Sequence, residues 1–305
     1  MSHATPDPNE EHGSVYDGLL GTDTSQWAFG TDFEDPLAGV DTTVPEELDA
    51  AEQAAYCLAL GDDALVMSHR LSEWCSNAPD LEEDIALANI ALDLLGQARL
   101  LLARAAAADA SVVPALPDGS PVPVEDALAF FREAIDFHNV LLVEVPNGDF
   151  AHTVARLLLF ATVRLAAFER LASHPDPVLA AIAAKGVKEL TYHRDYAGRW
   201  FLTLAQGTDE SRHRLLDGLA ALWPLYAELA HAHEVGPEVD VVLDQVFAVS
   251  AVERPDVPPM AGQPEYVGVI VTTTSPPDSR TSRSTPRSSR VSIGISGSVT
   301  EAATA

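Results

Sequence analysis

From Leu81 to Ala108 the chain is a long apolar stretch in which Asn89, Asp93 and Gln97 recur at every fourth residue. That spacing keeps side chains on one face of an α-helix, so the pattern predicts a helix with a polar stripe down an alanine- and leucine-rich surface. Such a stripe fits the inward wall of a helical bundle that houses a polar site. A di-iron carboxylate bundle sets Glu on that wall with His three residues later, yet Asp93 is followed by Gly96 and Gln97. The scaffold of a metal-binding bundle is legible, and its ligands are missing.

The remaining segments read as further helices divided by turn chemistry. Pro45-Glu46-Glu47 opens a helix that runs to about Cys75 and stops before Ser76-Asn77-Ala78-Pro79. Asp80 stands at the N-cap of the next helix, with Glu83 at the capping-box position. A loop spans 114–123, and a third helix is expected over 124–143. Pro146-Asn147-Gly148-Asp149 is a turn. Helices are expected over 150–173, 178–206 and 211–233, with Pro175-Asp176-Pro177 between the first two. Strand patterns are nearly lacking, so the expected fold class is all-α. Three parts follow: an acidic, partly disordered N-terminal arm over 1–48, a helical domain over 49–267, and a Ser/Thr/Arg-rich tail over 268–305.

Of 305 residues, 47% are hydrophobic, enough for a sizeable core without covalent staples. Cys57 and Cys75, the only cysteines, lie about 27 Å apart if one continuous helix carries both, too far for a mutual disulfide. Forty-six acids against 18 bases leave a charge of −28, which makes nucleic acid and anionic membrane surfaces poor partners. The spread of acids along the chain fits a solvated surface adapted to high salt better than a dedicated surface for a basic partner. No basic-then-apolar leader and no uncharged apolar run of about 18 residues is present, so a cytoplasmic chain that neither spans nor binds a membrane is expected.

The tail differs from everything before it. Residues 268–305 hold four Arg against Asp278 and Glu301, a local balance of +2. The codons of Val269 to Thr273, read one base earlier, permit a polar His-Ser-Asp-Asp-Tyr segment. We therefore expect the tail to be frameshifted, and read no function from it.

The ligands of a bundle di-iron site have few candidates. Asp62 or Asp63 supplies a carboxylate on the first helix, with Ser68 and His69 one to two turns later. Asp93 is the one mid-helix acid of the second. The 150–173 helix has no acid before Glu169, so Glu133 or Glu144 would have to replace its carboxylate. Glu189 and His193 share a face at spacing four, but Lys188 beside them would offset the carboxylate charge. A structural network of Asp93, Lys188, Glu189 and His193 is the preferred reading, a metal site the alternative. His69 is read as a hydrogen-bonded bundle residue. No Gly-x-Ser-x-Gly elbow, Walker loop or dinucleotide-binding glycine fingerprint occurs in the helical body.

Five runs resemble one family: 58–65 through Gly61-Asp62-Asp63, 68–75 through Ser68-His69-Arg70 and Glu73-Trp74-Cys75, and 86–99 through Asp93-Leu94-Leu95-Gly96-Gln97. The other two are 144–151 through Glu144-Val145-Pro146-Asn147-Gly148-Asp149 and 182–193 through Lys188-Glu189-Leu190-Thr191-Tyr192-His193. In order, over about residues 50–230, they resemble the PaaC family, the small structural subunits of multicomponent phenylacetyl-CoA ring-1,2-epoxidases. The resemblance implies a ferritin-like bundle with extra helices and no cofactor of its own. It would support a larger homologous, PaaA-like catalytic subunit that binds phenylacetyl-CoA and carries the di-iron centre. That subunit epoxidises the ring with O2 and electrons from a separate reductase. The alternative is a catalytic di-iron carboxylate oxygenase in its own right. Leu157-Leu158-Leu159-Phe160 and Trp200-Phe201 serve either as core or as the partner interface. The chain departs from the family at 230–241, which is short for a connection, and after Gly268.

Overall fold

The computed structural model describes residues 37–256. Contacts divide the chain after Ala38, and every described helix lies in the unit that begins at Gly39. Among the described residues eight α-helices follow in order: α1 (Ala50–Ser72), α2 (Leu81–Ala108), α3 (Val124–Phe130), α4 (Leu141–Glu144), α5 (Phe150–Leu171), α6 (Pro177–Gln206), α7 (Asp209–Ala232) and α8 (Gly236–Ser250). There is no strand among the described residues, and the chain is all-α. The frameshifted tail expected over 268–305 and most of the N-terminal arm lie outside the described residues.

Side-chain contacts set the topology. Gly61 faces Leu101 and Leu102 while Ser68 Oγ donates to the Ala91 carbonyl, so α1 and α2 run antiparallel. Gly186 against Phe168, and the Phe150 ring against Trp200, make α5 and α6 antiparallel as well. Contacts from Gln97 to Glu189 and from Glu83 to Trp200 join α2 to α6, again antiparallel. The ring α1–α2–α6–α5 thus closes as a four-helix bundle in which α2 and α5 are parallel and joined by the long 109–149 crossover. One long crossover is the ferritin-like arrangement. Helices α7 and α8 cover α5 and α6 from outside.

Because α5 is covered on all sides, 17 of its 22 residues are buried, among them every residue from Thr153 to Leu165. Leu157, Leu158, Leu159 and Phe160 are therefore core, as is Phe201, and offer no interface. By length and apolarity both α2 and α5 could cross a membrane. The burial of α5 inside the bundle accounts for its composition, and α2 carries Asp93, Arg99 and Arg104.

Four local expectations are corrected. The third helix does not run over 124–143. It breaks into α3, a 3-10 turn at Ala134–Asp136 and α4, because acids from other helices accept its backbone N–H groups: Asp62 from His138, Asp63 from Val140 and Glu228 from Leu141. Such acceptors remove the need for helical hydrogen bonds. Asp80 caps α2 as expected, but Glu83 forms no reciprocal box, and its carboxylate accepts from Tyr196 Oη and Trp200 Nε1. The last long helix begins at Asp209 rather than 211, capped by Thr208 and Ser211. The short 230–241 connection holds a tight turn through Glu234, at φ 55°, into the unforeseen α8.

Candidate functional site

The polar stripe on α2 is graded. Asn89 is exposed, Asp93 is half-buried and Gln97 is buried, because the apolar core lies closest to the middle of the helix. At its inner end Gln97 Nε2 donates to Glu189 Oε2 at 2.9 Å, while Gln97 Oε1 accepts from Arg164 Nε at 3.0 Å. Glu189 pairs with Lys185, one turn earlier on α6. The structure thus puts Lys185 where the sequence pointed to Lys188. Lys188 sits one residue from Glu189, about 100° round the helix, and is exposed.

One turn toward the surface, His193 Nε2 lies 3.0 Å from Asp93 Oδ2. A carboxylate only accepts, so Nε2 carries the hydrogen. The His193 ring is shielded from water, whereas the Asp93 side chain is 38% exposed. Asp93, Glu189 and His193 therefore share one wall between α2 and α6, joined to Gln97, Lys185 and Arg164. Asp62 is not among them.

Arg164 is the side chain that sequence reasoning misses. It projects from α5 into the bundle interior with 1% exposure, donates from Nη1 to the Leu60 carbonyl of α1 at 3.2 Å, and lies over the Phe168 ring. Burial pulls its guanidinium down only to about 10, so it remains a cation near neutral pH. Arg156 and Arg164, eight residues apart in a stretch from Val154 to Phe168 whose other residues are apolar but for Thr162, are the signal that could have found it.

The carboxylates of α1 are already engaged. Asp62, fully buried, faces the Arg132 guanidinium with both oxygens and also accepts from His138 N–H at 2.9 Å. Asp63 accepts from Val140 N–H at 2.7 Å, and burial pushes its carboxyl up to about 8 against the opposing pull of that bond and of Arg164. Glu144 accepts from Asn139 Nδ2 at 3.0 Å, with burial raising it to about 7. Glu133, Glu169 and His69 are exposed, so His69 is no bundle residue. Ser68 is spent on the Ala91 carbonyl.

A bundle di-iron centre requires about six inward ligands from four helices. Among the described residues no three His, Cys, Asp or Glu side chains converge as metal ligands do. A permanent cation stands in the interior, and the inward acids are bound to N–H donors or to Arg132. This donor set does not fit a di-iron pair. It does suit a fixed polar brace that keeps α2, α5 and α6 in register.

The motifs of the five runs also meet one another. Asn147 donates to the Arg70 carbonyl and to Glu73, and accepts from the buried Arg156. Trp74 Nε1 donates to Thr153 Oγ1, which itself donates to the Asn147 carbonyl. Residues far apart in sequence thereby lock the end of α1 to the start of α5.

Comparison with known proteins agrees with this architecture. A family model described as "Phenylacetic acid catabolic protein" matches residues 38–250, the whole helical body. The chain is 47% identical over 181 residues to a protein of Escherichia coli (strain K12) named as one of the subunits of 1,2-phenylacetyl-CoA epoxidase, a match that covers 59% of this chain and 68% of that protein. With a helical body that carries the fold and the matched motifs together, the chain belongs to the phenylacetic acid catabolic protein family, PaaA_PaaC.

Proposed function

We propose that this chain is the non-catalytic supporting subunit of a cytoplasmic, multicomponent monooxygenase that epoxidises the ring of phenylacetyl-CoA. In this reading a larger homologous subunit holds the di-iron centre and most of the substrate, and a separate reductase supplies electrons. The observation that supports the reading is Arg164: a buried guanidinium bonded to α1 and α2 lies in the bundle interior, and among the described residues no cluster of metal-ligating side chains accompanies it. Its charge opposes that of a metal pair at close range, where the low interior dielectric magnifies the cost. The E. coli relative is named as one subunit among others of an epoxidase, which supports membership of a multi-chain assembly.

The test is co-expression with the larger subunit, purification of the complex, separation of the chains and iron analysis of each. Iron confined to the larger subunit in a stable complex is the expected outcome. Stoichiometric iron in this chain alone would sink the proposal in favour of a self-sufficient di-iron oxygenase, with Asp62, Asp93, Glu189 and His193 as the first ligands to mutate.

A further inference from the structure

The outer face of α2 carries a second, apolar pattern. Leu81, Ile85, Ala88, Leu92 and Leu95 follow at intervals of four, three, four and three residues, the spacing that lines up a seam for packing against another helix. No helix of this chain's described residues occupies that seam: Leu81 is 69% exposed, Ile85 53%, Leu92 63% and Leu95 43%. Inward positions Leu87, Ile90, Leu94 and Leu101 are by contrast at most 1% exposed, so α2 is apolar on two faces and uses only one for the core. Along the flanks of the seam α2 carries Glu82, Asp84 and the half-buried Asp93, and neither Lys nor Arg before Arg99, while Glu83 turns inward to Tyr196 and Trp200.

We infer that the α2 seam is the docking surface for a helix of the larger subunit, one with apolar residues at the same four-three spacing and Arg or Lys on its flanks. The inference rests on the supporting-subunit reading above and adds where the contact lies. The four-three spacing calls for a helix, because knobs at a and d positions need the holes of a facing helix. The acids choose the partner. A second copy of this chain would set Glu82 and its neighbours against like charges, at a formal −28 on each side. The first 36 residues of the chain are no better suited, with eight acids and no Lys or Arg. A basic-flanked helix satisfies the seam and its rim together.

The experiment uses the full chain co-purified with the larger subunit, and compares wild type with Leu92→Asp, Glu82→Arg and, as a control off the seam, Val241→Asp. Leu92→Asp buries a charge in the seam and is expected to weaken pairing by about 30-fold or more. Glu82→Arg is expected to weaken it by about 10-fold or less, with a loss of salt sensitivity. Val241→Asp should pair like wild type. All three positions are exposed, so unchanged thermal melting of the isolated chains excludes misfolding as the cause. If wild type pairs and Leu92→Asp pairs as tightly, the docking surface is wrong while the supporting role stands. A wild-type chain that does not pair with the larger subunit overturns both, and a homodimer abolished by Leu92→Asp overturns the choice of partner.

Discussion

Arg104 of α2 forks across the carboxylate of Asp176, the N-cap of α6, with Nε and Nη2 each 2.7 Å from an oxygen and both side chains almost wholly shielded from water. The same guanidinium donates to the carbonyls of Thr42 and Thr43, and Gln53 Nε2 of α1 donates to the same carboxylate. One buried ion pair therefore ties the stretch before α1, α1 itself, α2 and α6 together.

Removing one member leaves the other as an uncompensated buried charge. Arg104→Met is expected to lower the unfolding free energy by about 3–5 kcal/mol, read by urea denaturation of the isolated chain. A loss below about 1 kcal/mol would mean that the pair behaves as a solvated surface contact.

The α5–α6 approach depends on a missing side chain. A Cβ on Gly186 would lie 2.5 Å from Phe168 Cδ1, and that ring is held beneath the Arg164 guanidinium. Gly186→Ala should cost about 1–3 kcal/mol through overpacking. Gly198, on the same helix, has nothing within 4 Å of its Cβ position. Gly198→Ala should add up to about 1 kcal/mol by helix propensity. Scanning calorimetry of the two variants should move the melting temperature in opposite directions, and a shared direction would contradict the packing described.

Stability should fall as the pH rises. Burial raises Asp63 to about 8, from an ordinary value of 3.8. Between those values the native state keeps a proton that the unfolded chain has released, so the contribution is fully present below the lower value and is lost as the pH passes the upper one. Asp63→Asn keeps a neutral acceptor for Val140 N–H and removes the titration. Denaturation across that window should then be less steep with pH, by up to about 1.4 kcal/mol per pH unit. Identical slopes in both proteins would show that Asp63 ionises normally.

Much of the bundle is legible in the sequence because its signals are local. The N-cap at Asp80, the break at Pro175-Asp176-Pro177, the turn at Pro146-Asn147-Gly148-Asp149 and the periodicity of the long helices each depend on neighbours within a turn or two. The polar wall is legible in part: Asp93, Glu189 and His193 do share it. Lys188 adjoins Glu189 in sequence, yet Lys185 makes the ion pair, because four residues along a helix bring side chains closer than one. The 124–143 segment reads as one helix because nothing within it reveals that Asp62, Asp63 and Glu228 supply its acceptors.

The sequence by itself determined most of the long helices, the charge and the lack of a Glu-x-x-His pattern in the four bundle helices α1, α2, α5 and α6, since periodicity, capping and composition are properties of contiguous residues. Only the tertiary structure decided which charges meet. It placed Arg164 in the interior, turned the Asp62 and Asp63 carboxylates to backbone and guanidinium donors, sent Leu157 to Phe160 into the core and left the Leu81–Leu95 seam uncovered. Those outcomes depend on which helices surround each side chain, and pairing between segments some 70 to 100 residues apart, as for Arg132 with Asp62 and His193 with Asp93, leaves no periodic trace in either one.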